Sequence, residues 1–367
     1  MWRYFMPTMV NFGWKVLKEK KDFFKSFGKR TVIFTGRRSS KENGSLEDLL
    51  NVFKEFGIQY IVWDEVPENP DFQSLEKALK DVEGENLDFV VGLGGGSPMD
   101  FAKAMAILIA NKNLSPEDLY KGTFEKILPI VAIPTTSGTG SEVTQYSVLT
   151  DRDGNKRGFG SDLIFPKVSF VDPQYTLFMN EYITLTTGLD ALCHAIEGFV
   201  SKRANPVSDI FALEAVKKIV KSLPKVLENL KNEYHRENMM MASLMAGVVI
   251  SQTGTTIAHA LGYPLTTEKK IRHGLATAIT LVEVLKIMKE EAEDRVNVIL
   301  KPFDGIDGLK RFFTDLGVYK KVEISLDDIK KWAEIASKAR HIQFSPGNFS
   351  KEVIFKIYVS LKEEYLV

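Results

Sequence analysis

Short β-branched runs alternate with amphipathic stretches through the first half of the chain. Residues 31–35 (TVIFT) stop at Gly36, and a helical pattern opening at Ser45 (LEDLLNVFKEFG) closes on Gly57. Residues 58–63 (IQYIVW) repeat the strand signal, and 72–82 set Leu75 and Leu79 on one helical face. A third strand at 88–92 (DFVVG) runs into Gly94, Gly95, Gly96 and Ser97 ahead of a helix from Pro98 to about Asn111. A fourth, at 130–133, enters the loop PTTSGTGSE at 134–142. Strand, glycine turn and helix in repetition predict an α/β domain with a parallel sheet covered by helices on both faces.

After residues 168–173 (VSFVDP) the texture changes. Helical periods fill 206–221, 224–230, 237–250, 275–290, 326–339 and 351–365, with strand signals nearly absent. This predicts an all-α C-terminal domain, with the boundary placed so that the domains span 1–178 and 179–367. A chain of 367 residues exceeds what one core usually serves.

Composition narrows the occupation. Lysine plus arginine and aspartate plus glutamate each number 48, so no basic field invites nucleic acid. Small-molecule chemistry is the expectation. The single cysteine, Cys193, excludes an internal disulfide and fits a reducing cytoplasm. The sequence offers no signal-peptide pattern and no apolar run long enough to cross a bilayer, so a cytoplasmic protein without a membrane partner is expected.

Residues 186–201 (TTGLDALCHAIEGFVS) carry the first candidate chemistry. Asp190 and His194 stand four apart, one above the other on a helix face. They could chelate, or form an ordinary i, i+4 pair. Leu189, Leu192, Ala195, Ile196, Phe199 and Val200 mark the helix as buried, and a buried Asp and His need partners. His259 (TTIAHALGYP) and His273 (KIRHGLATAI) lie in the same half near glycines, whereas His235 and His341 sit among polar residues that read as surface. One carboxylate and three imidazoles suit a divalent transition metal, iron and zinc alike.

Two loops suit a nucleotide. Three glycines after a buried strand permit close backbone approach, and the helix start behind them can receive a phosphate; a plain strand-to-helix turn uses glycine too. The hydroxyls of Thr135, Thr136, Ser137, Thr139 and Ser141 form a basin of donors, or a simple surface loop. Both loops and Gly36 should fall on the carboxyl edge of the sheet, where ligands of open α/β sheets gather.

Taken in order, FMPTMVNFG (5–13), GGGSPMDFAK (94–103), PTTSGTGSEVT (134–144), TGLDALCHAIEG (187–198) and RHGLATAI (272–279) resemble the iron-containing (group III) alcohol dehydrogenases of the dehydroquinate synthase-like fold. The resemblance implies a dinucleotide-binding domain at 1–178 and a metal-binding catalytic domain at 179–367. It implies Asp190, His194, His259 and His273 as ligands of Fe2+ or Zn2+. Gly95, Gly96, Ser97 and Asp100 match the pyrophosphate loop, Thr135, Thr136, Thr139 and Ser141 the loop beside the nicotinamide and its ribose, and Asn69 and Lys156 further cofactor contacts. A homodimer is implied, with hydride transfer between a nicotinamide and short-chain primary alcohols, diols or their aldehydes, of the butanol or 1,3-propanediol type.

Two departures matter. Where many members carry a proton-passing histidine four residues after the third ligand, this chain has Tyr263, a phenol that does not titrate near neutrality. Tyr263 is the one candidate catalytic side chain beyond the metal. Gly36 stands where NAD-preferring relatives often place an acid, and Arg37, Arg38, Ser39 and Ser40 offer donors to a 2′-phosphate, so NADP(H) is expected over NAD(H). The rival readings are a zinc- and NAD-dependent polyol dehydrogenase, a dehydroquinate synthase, and a non-catalytic nucleotide-binding redox sensor. A synthase needs a basic cluster, of which only Lys269, Lys270 and Arg272 lie near the metal motifs, and a complete ligand set argues against lost catalysis.

Overall fold

The apolar runs of the first half become strands in the computed structural model of the chain, which describes residues 1–319 and 323–364. Among these residues the strands are β1 (Met9–Phe12), β2 (Arg30–Thr35), β3 (Gln59–Trp63), β4 (Phe89–Gly94), β5 (Ile130–Pro134), β6 (Tyr146–Thr150), β7 (Lys156–Gly160) and β8 (Val168–Val171). Six form one parallel sheet in the order β1-β8-β5-β4-β2-β3, and β6 pairs antiparallel with β7. The helices of this half are α1 (Val16–Glu19), α2 (Ser39–Glu42), α3 (Ser45–Phe56), α4 (Phe72–Asp81) and α5 (Gly96–Ala110).

Alternation along the strands divides the core in two. Val32, Phe34 and Val90 pack with Phe72 and Leu75 of α4 and Phe101 and Met105 of α5, while Ile33, Phe89 and Val91 pack with Val16 and Leu17 of α1 and Leu49 and Phe53 of α3. A sheet buried on both faces accounts for the near-continuous apolar character of its strands. β1, β8 and the β6–β7 hairpin stand beyond the four strands expected from sequence. β1 is only four residues long, and β7 (KRGFG) buries Phe159 alone, so neither carries a clear period.

The second half is helical: α6 (Glu181–Val200), α7 (Pro206–Glu228), α8 (Glu233–Thr253), α9 (Ile257–Thr267), α10 (His273–Ile299), α11 (Ile306–Asp315), α12 (Leu326–Ala336) and α13 (Lys351–Glu364). The break expected between 221 and 224 is absent, because Pro224 lies within the last turns of α7 and forfeits a single backbone bond there. α9 escapes a propensity reading because Gly262 and Pro264 lie within it. A Cβ at Gly262 would come within 3.0 Å of the Thr277 nitrogen, so glycine is what lets α9 lie against α10. The expected helix end at Tyr365 falls outside the described residues.

The chain separates into two compact units, one of residues 5–180 with 229–240, the other of 1–4, 181–228 and 241–367. Among the described residues no single helix is long and apolar enough to cross a membrane.

Close packing of α5 on the sheet rests on Gly92, where a Cβ would lie 2.8 Å from the Met99 Cα. Gly92→Ala is therefore expected to lower unfolding stability by about 1–3 kcal/mol, read as an earlier midpoint in urea. An unchanged midpoint would show that α5 can shift without cost.

Candidate metal centre and nucleotide loops

α6 is buried at every position from Gly188 to Val200. Asp190 and His194 project from it one turn apart, His259 comes from the first turn of α9, and His273 opens α10. The Oδ1 of Asp190 lies 3.8 Å from the Nε2 of His194, of His259 and of His273. These separations are too long for hydrogen bonds. Oxygen and nitrogen ligands at about 2.1 Å from a tetrahedral ion stand roughly 3.4 Å apart, close to the spacing observed. The Asp190 Oδ1 and the His259 Nε2 are also buried without a hydrogen-bond partner, an arrangement that is costly unless a cation is shared. The residues therefore fit a metal ion, with Asp190, His259 and His273 presenting ligand atoms within 4.8 Å of one another.

Local sequence explains how three helices converge. A Cβ at Gly274 would fall 2.0 Å from the Thr186 carbonyl oxygen and 2.7 Å from the Asp190 Cβ. Only glycine lets the start of α10 touch α6 and bring His273 to Asp190. Glu197, one turn beyond His194 and fully buried, bonds the His259 Nδ1 through Oε2; its Oε1 accepts from the Thr256 nitrogen at 3.0 Å and the Thr256 hydroxyl at 2.6 Å. Burial would raise the Glu197 carboxyl, but the His259 imidazole and the Thr256 hydroxyl outweigh it and hold the group below the usual carboxylate range. With Nδ1–H donating to Glu197, His259 turns its Nε2 lone pair toward Asp190. No residue local to α6 marks Glu197 for this role, because its partners Thr256 and His259 come from the start of α9.

The Tyr263 ring stacks on His273 with centroids 5.7 Å apart, and His341 meets Tyr263 edge-on at 5.9 Å. His341 is thus not the surface residue its neighbours suggested. It is half-buried in the turn Arg340–Phe344, its Nδ1 shut off from solvent, and burial pushes its pKa down to about 4. Polar residues around it hid this, because the turn folds back on α9 from 80 residues away in a way no local period records.

The two loops also converge. A Cβ on Gly95 would stand 3.4 Å from the Thr136 hydroxyl, and one on Gly96 would stand 2.7 Å from the Thr139 Cγ2. Thr35 is in register with Leu93, and Gly94 with Pro134, so Gly36, Gly95 and Thr135 share the carboxyl edge of the sheet. α5 starts at Gly96, directing its first N–H groups to that edge. The Ser97 hydroxyl donates to the Glu68 carbonyl, beside exposed Asn69, and Lys156 opens β7 opposite Thr150.

Besides Ser97, further expected cofactor side chains make hydrogen bonds within the protein. The Ser141 hydroxyl donates to Asp100 Oδ1 at 2.6 Å, Asp100 Oδ2 accepts from the Val148 nitrogen at 3.0 Å, and the Ser40 hydroxyl, fully buried, accepts from Thr35 at 2.7 Å. Short polar side chains on a nucleotide loop look alike in sequence whether they face ligand or backbone.

Residues 7–173 match the family described as iron-containing alcohol dehydrogenase, and 184–361 its C-terminal part. The chain belongs to the iron-containing alcohol dehydrogenase family. An iron-containing alcohol dehydrogenase from Thermotoga maritima is 49% identical at a TM-score of 0.95, over 98% of this chain and 99% of that one. The long-chain-alcohol dehydrogenase 1 of Geobacillus thermodenitrificans is 31% identical over 87% of this chain and 85% of its own length. The 1,3-propanediol dehydrogenase of Citrobacter freundii is 30% identical over 98% of each. Iron and a nicotinamide cofactor are typical of the family, and the fold found here agrees with it.

In this alcohol dehydrogenase Gly274→Ala should drive α10 from α6. Metal bound after anaerobic loading is expected to fall at least about tenfold, in line with the disruption of residues that orient ligands, while far-UV circular dichroism stays native. Full metal content would mean that His273 is placed by something other than this contact.

Proposed function

We infer that the protein is an NADP(H)-dependent alcohol dehydrogenase and aldehyde reductase acting on short-chain primary alcohols, diols or their aldehydes. The observation that carries this reading is the single carboxylate oxygen of Asp190 equidistant from three imidazole nitrogens. Asp190, His194, His259 and His273 would hold Fe2+ or Zn2+, which when bound supplies Lewis acidity toward an alcohol or carbonyl oxygen.

The chain's own residues do the rest. Glu197 fixes the tautomer of His259. The start of α5 is suited to a pyrophosphate, and the threonine loop to the nicotinamide ribose. Gly36 leaves no carboxylate at the end of β2. Arg37, its side chain 77% exposed, is only 3.8 Å from Glu65, which itself holds Lys77 at 2.5 Å. A guanidinium so loosely engaged is available to a 2′-phosphate, as are Arg38 and Ser39; Ser40 is withdrawn from that set. The relatives acting on long-chain alcohols and on 1,3-propanediol support a primary alcohol as substrate. A homodimer agrees with the family resemblance, and light scattering of the purified protein measures it.

Anaerobic protein given Fe2+, NADPH and butyraldehyde should oxidise NADPH, followed at its absorbance band. Catalytic efficiency should favour NADPH over NADH, and a clear advantage for NADH would show that the arginines point elsewhere. His273→Ala should lose most bound metal and turnover while binding NADPH largely as wild type. Full activity in that variant after chelation would reject the metal role.

A further inference from the structure

A lysine that no ligand reaches lies between the two nucleotide loops. Lys103, on α5 two turns behind Gly96, has no exposed surface. Its Nζ is 2.7 Å from the Ser141 carbonyl, 2.7 Å from the Ser141 hydroxyl, 2.8 Å from the Tyr146 carbonyl and 3.2 Å from the Thr144 hydroxyl. Four oxygens thus surround an ammonium with three N–H donors. All four come from the six residues that lead out of the threonine loop into β6. Asp100, one turn earlier on α5, secures the same stretch from the other side. It takes the Ser141 hydroxyl and the Val148 nitrogen on its carboxylate, and its carbonyl accepts from the Ser147 hydroxyl at 2.8 Å.

We propose that Lys103 is the positioning residue of the cofactor site, holding the threonine loop against the glycine loop in its binding conformation before any dinucleotide arrives. A buried ammonium is expensive to place, and an apolar side chain of similar length would fill the same volume. What the charge adds is a fixed path for residues 141–146, whose upstream neighbours Thr136 and Thr139 touch Gly95 and Gly96. An unpinned segment would have to be ordered by the cofactor itself, at the expense of affinity.

The charges facing the ammonium are few. Asp100 Oδ1 on α5 is 3.9 Å away, Glu142 is buried in the turn Ser141–Val143, and Lys156 on β7 acts on Asp100. Burial lowers the Lys103 pKa to about 8, only partly countered by Asp100 and Glu142, and burial raises Glu142 to about 7. Above pH 8 the amine keeps two N–H donors for four acceptors, and the segment is held less firmly.

The proposal rests on the cofactor reading given above, and the test separates the two. NADPH affinity is measured by fluorescence titration from pH 6.5 to 9.5 in the full-length wild type, Lys103→Met and Glu142→Gln. The wild type should weaken several-fold with a midpoint near pH 8, and Glu142→Gln, which removes one of the two carboxylates that keep the ammonium charged, should move that midpoint down without abolishing the step. Lys103→Met should bind at least about tenfold more weakly with no step near 8, while metal content and turnover at saturating NADPH stay within about twofold. Wild-type affinity and pH profile in Lys103→Met would overturn the role of Lys103. A wild type that binds neither NADPH nor NADH would instead overturn the cofactor reading. If Lys103→Met does not fold, the wild-type step near pH 8 and a similar weakening in Thr144→Val, which removes one acceptor, decide the matter; absence of both overturns the proposal.

Discussion

A carboxylate buried without a hydrogen bond on one of its oxygens is the constraint from which the helical half takes its form. Asp190 Oδ1 faces three imidazole nitrogens at 3.8 Å. Left alone, that oxygen would oppose folding, because removing a charge from water costs several kcal/mol unless something replaces the solvent. The apolar helix that buries it, the glycine that lets α10 close on it and the glutamate that turns His259 toward it all serve one geometry. Each makes little sense by itself. A shared cation makes all of them favourable together, so this half should be stable in proportion to what it binds.

The sheet half meets its requirement by the opposite means. Where β4 and β5 end, it offers backbone brought close by glycine and hydroxyls spaced along a loop, with Arg37 and Arg38 following the end of β2. Gly95 and Gly96 touch Thr136 and Thr139 with no room for a side chain at Gly96. Such a surface is suited to a ligand that supplies its own negative charge, since a helix start and unpaired N–H groups attract phosphate without holding a counterion of their own. The polar groups behind it, Lys103 and Asp100, are satisfied by the Ser141 hydroxyl that both bond and by the backbone.

How much of this could be read from sequence follows the range of the forces involved. Strands β2, β3, β4 and β5 of the parallel sheet and the main helices are local periods, and their residues announced them. Asp190 and His194 are four apart and could be paired on one helix. His259 and His273 could be added only through motif resemblance, because nothing local says that three helices meet. Glu197 and His341 needed the tertiary structure: one depends on α9 crossing α6, the other on a turn returning from far along the chain. Asp100, Ser141 and Ser40 show the converse limit, since a polar side chain in a nucleotide loop satisfies backbone or cofactor with the same atoms, and sequence does not tell which.

Glu197 also changes the electrostatics expected of the site. Three neutral imidazoles and one carboxylate would leave a divalent ion with a net charge of +1, but Glu197, held below the usual carboxylate range and bonded to His259, brings a second negative charge to the same buried region. At neutral pH neither Tyr263 nor His341 offsets it, the phenol being uncharged and His341 neutral above about pH 4. With a divalent ion held by these residues, the buried assembly would be close to neutral as a whole. That would let the assembly sit in an apolar helix bundle at low cost, with Glu197 offsetting part of the charge an ion held there would carry. Exchanging a histidine for Tyr263 fits this balance: another imidazole beside His273 would be a second group able to gain a proton, whereas the phenol stacks on the ligand ring and leaves the charge of the site fixed.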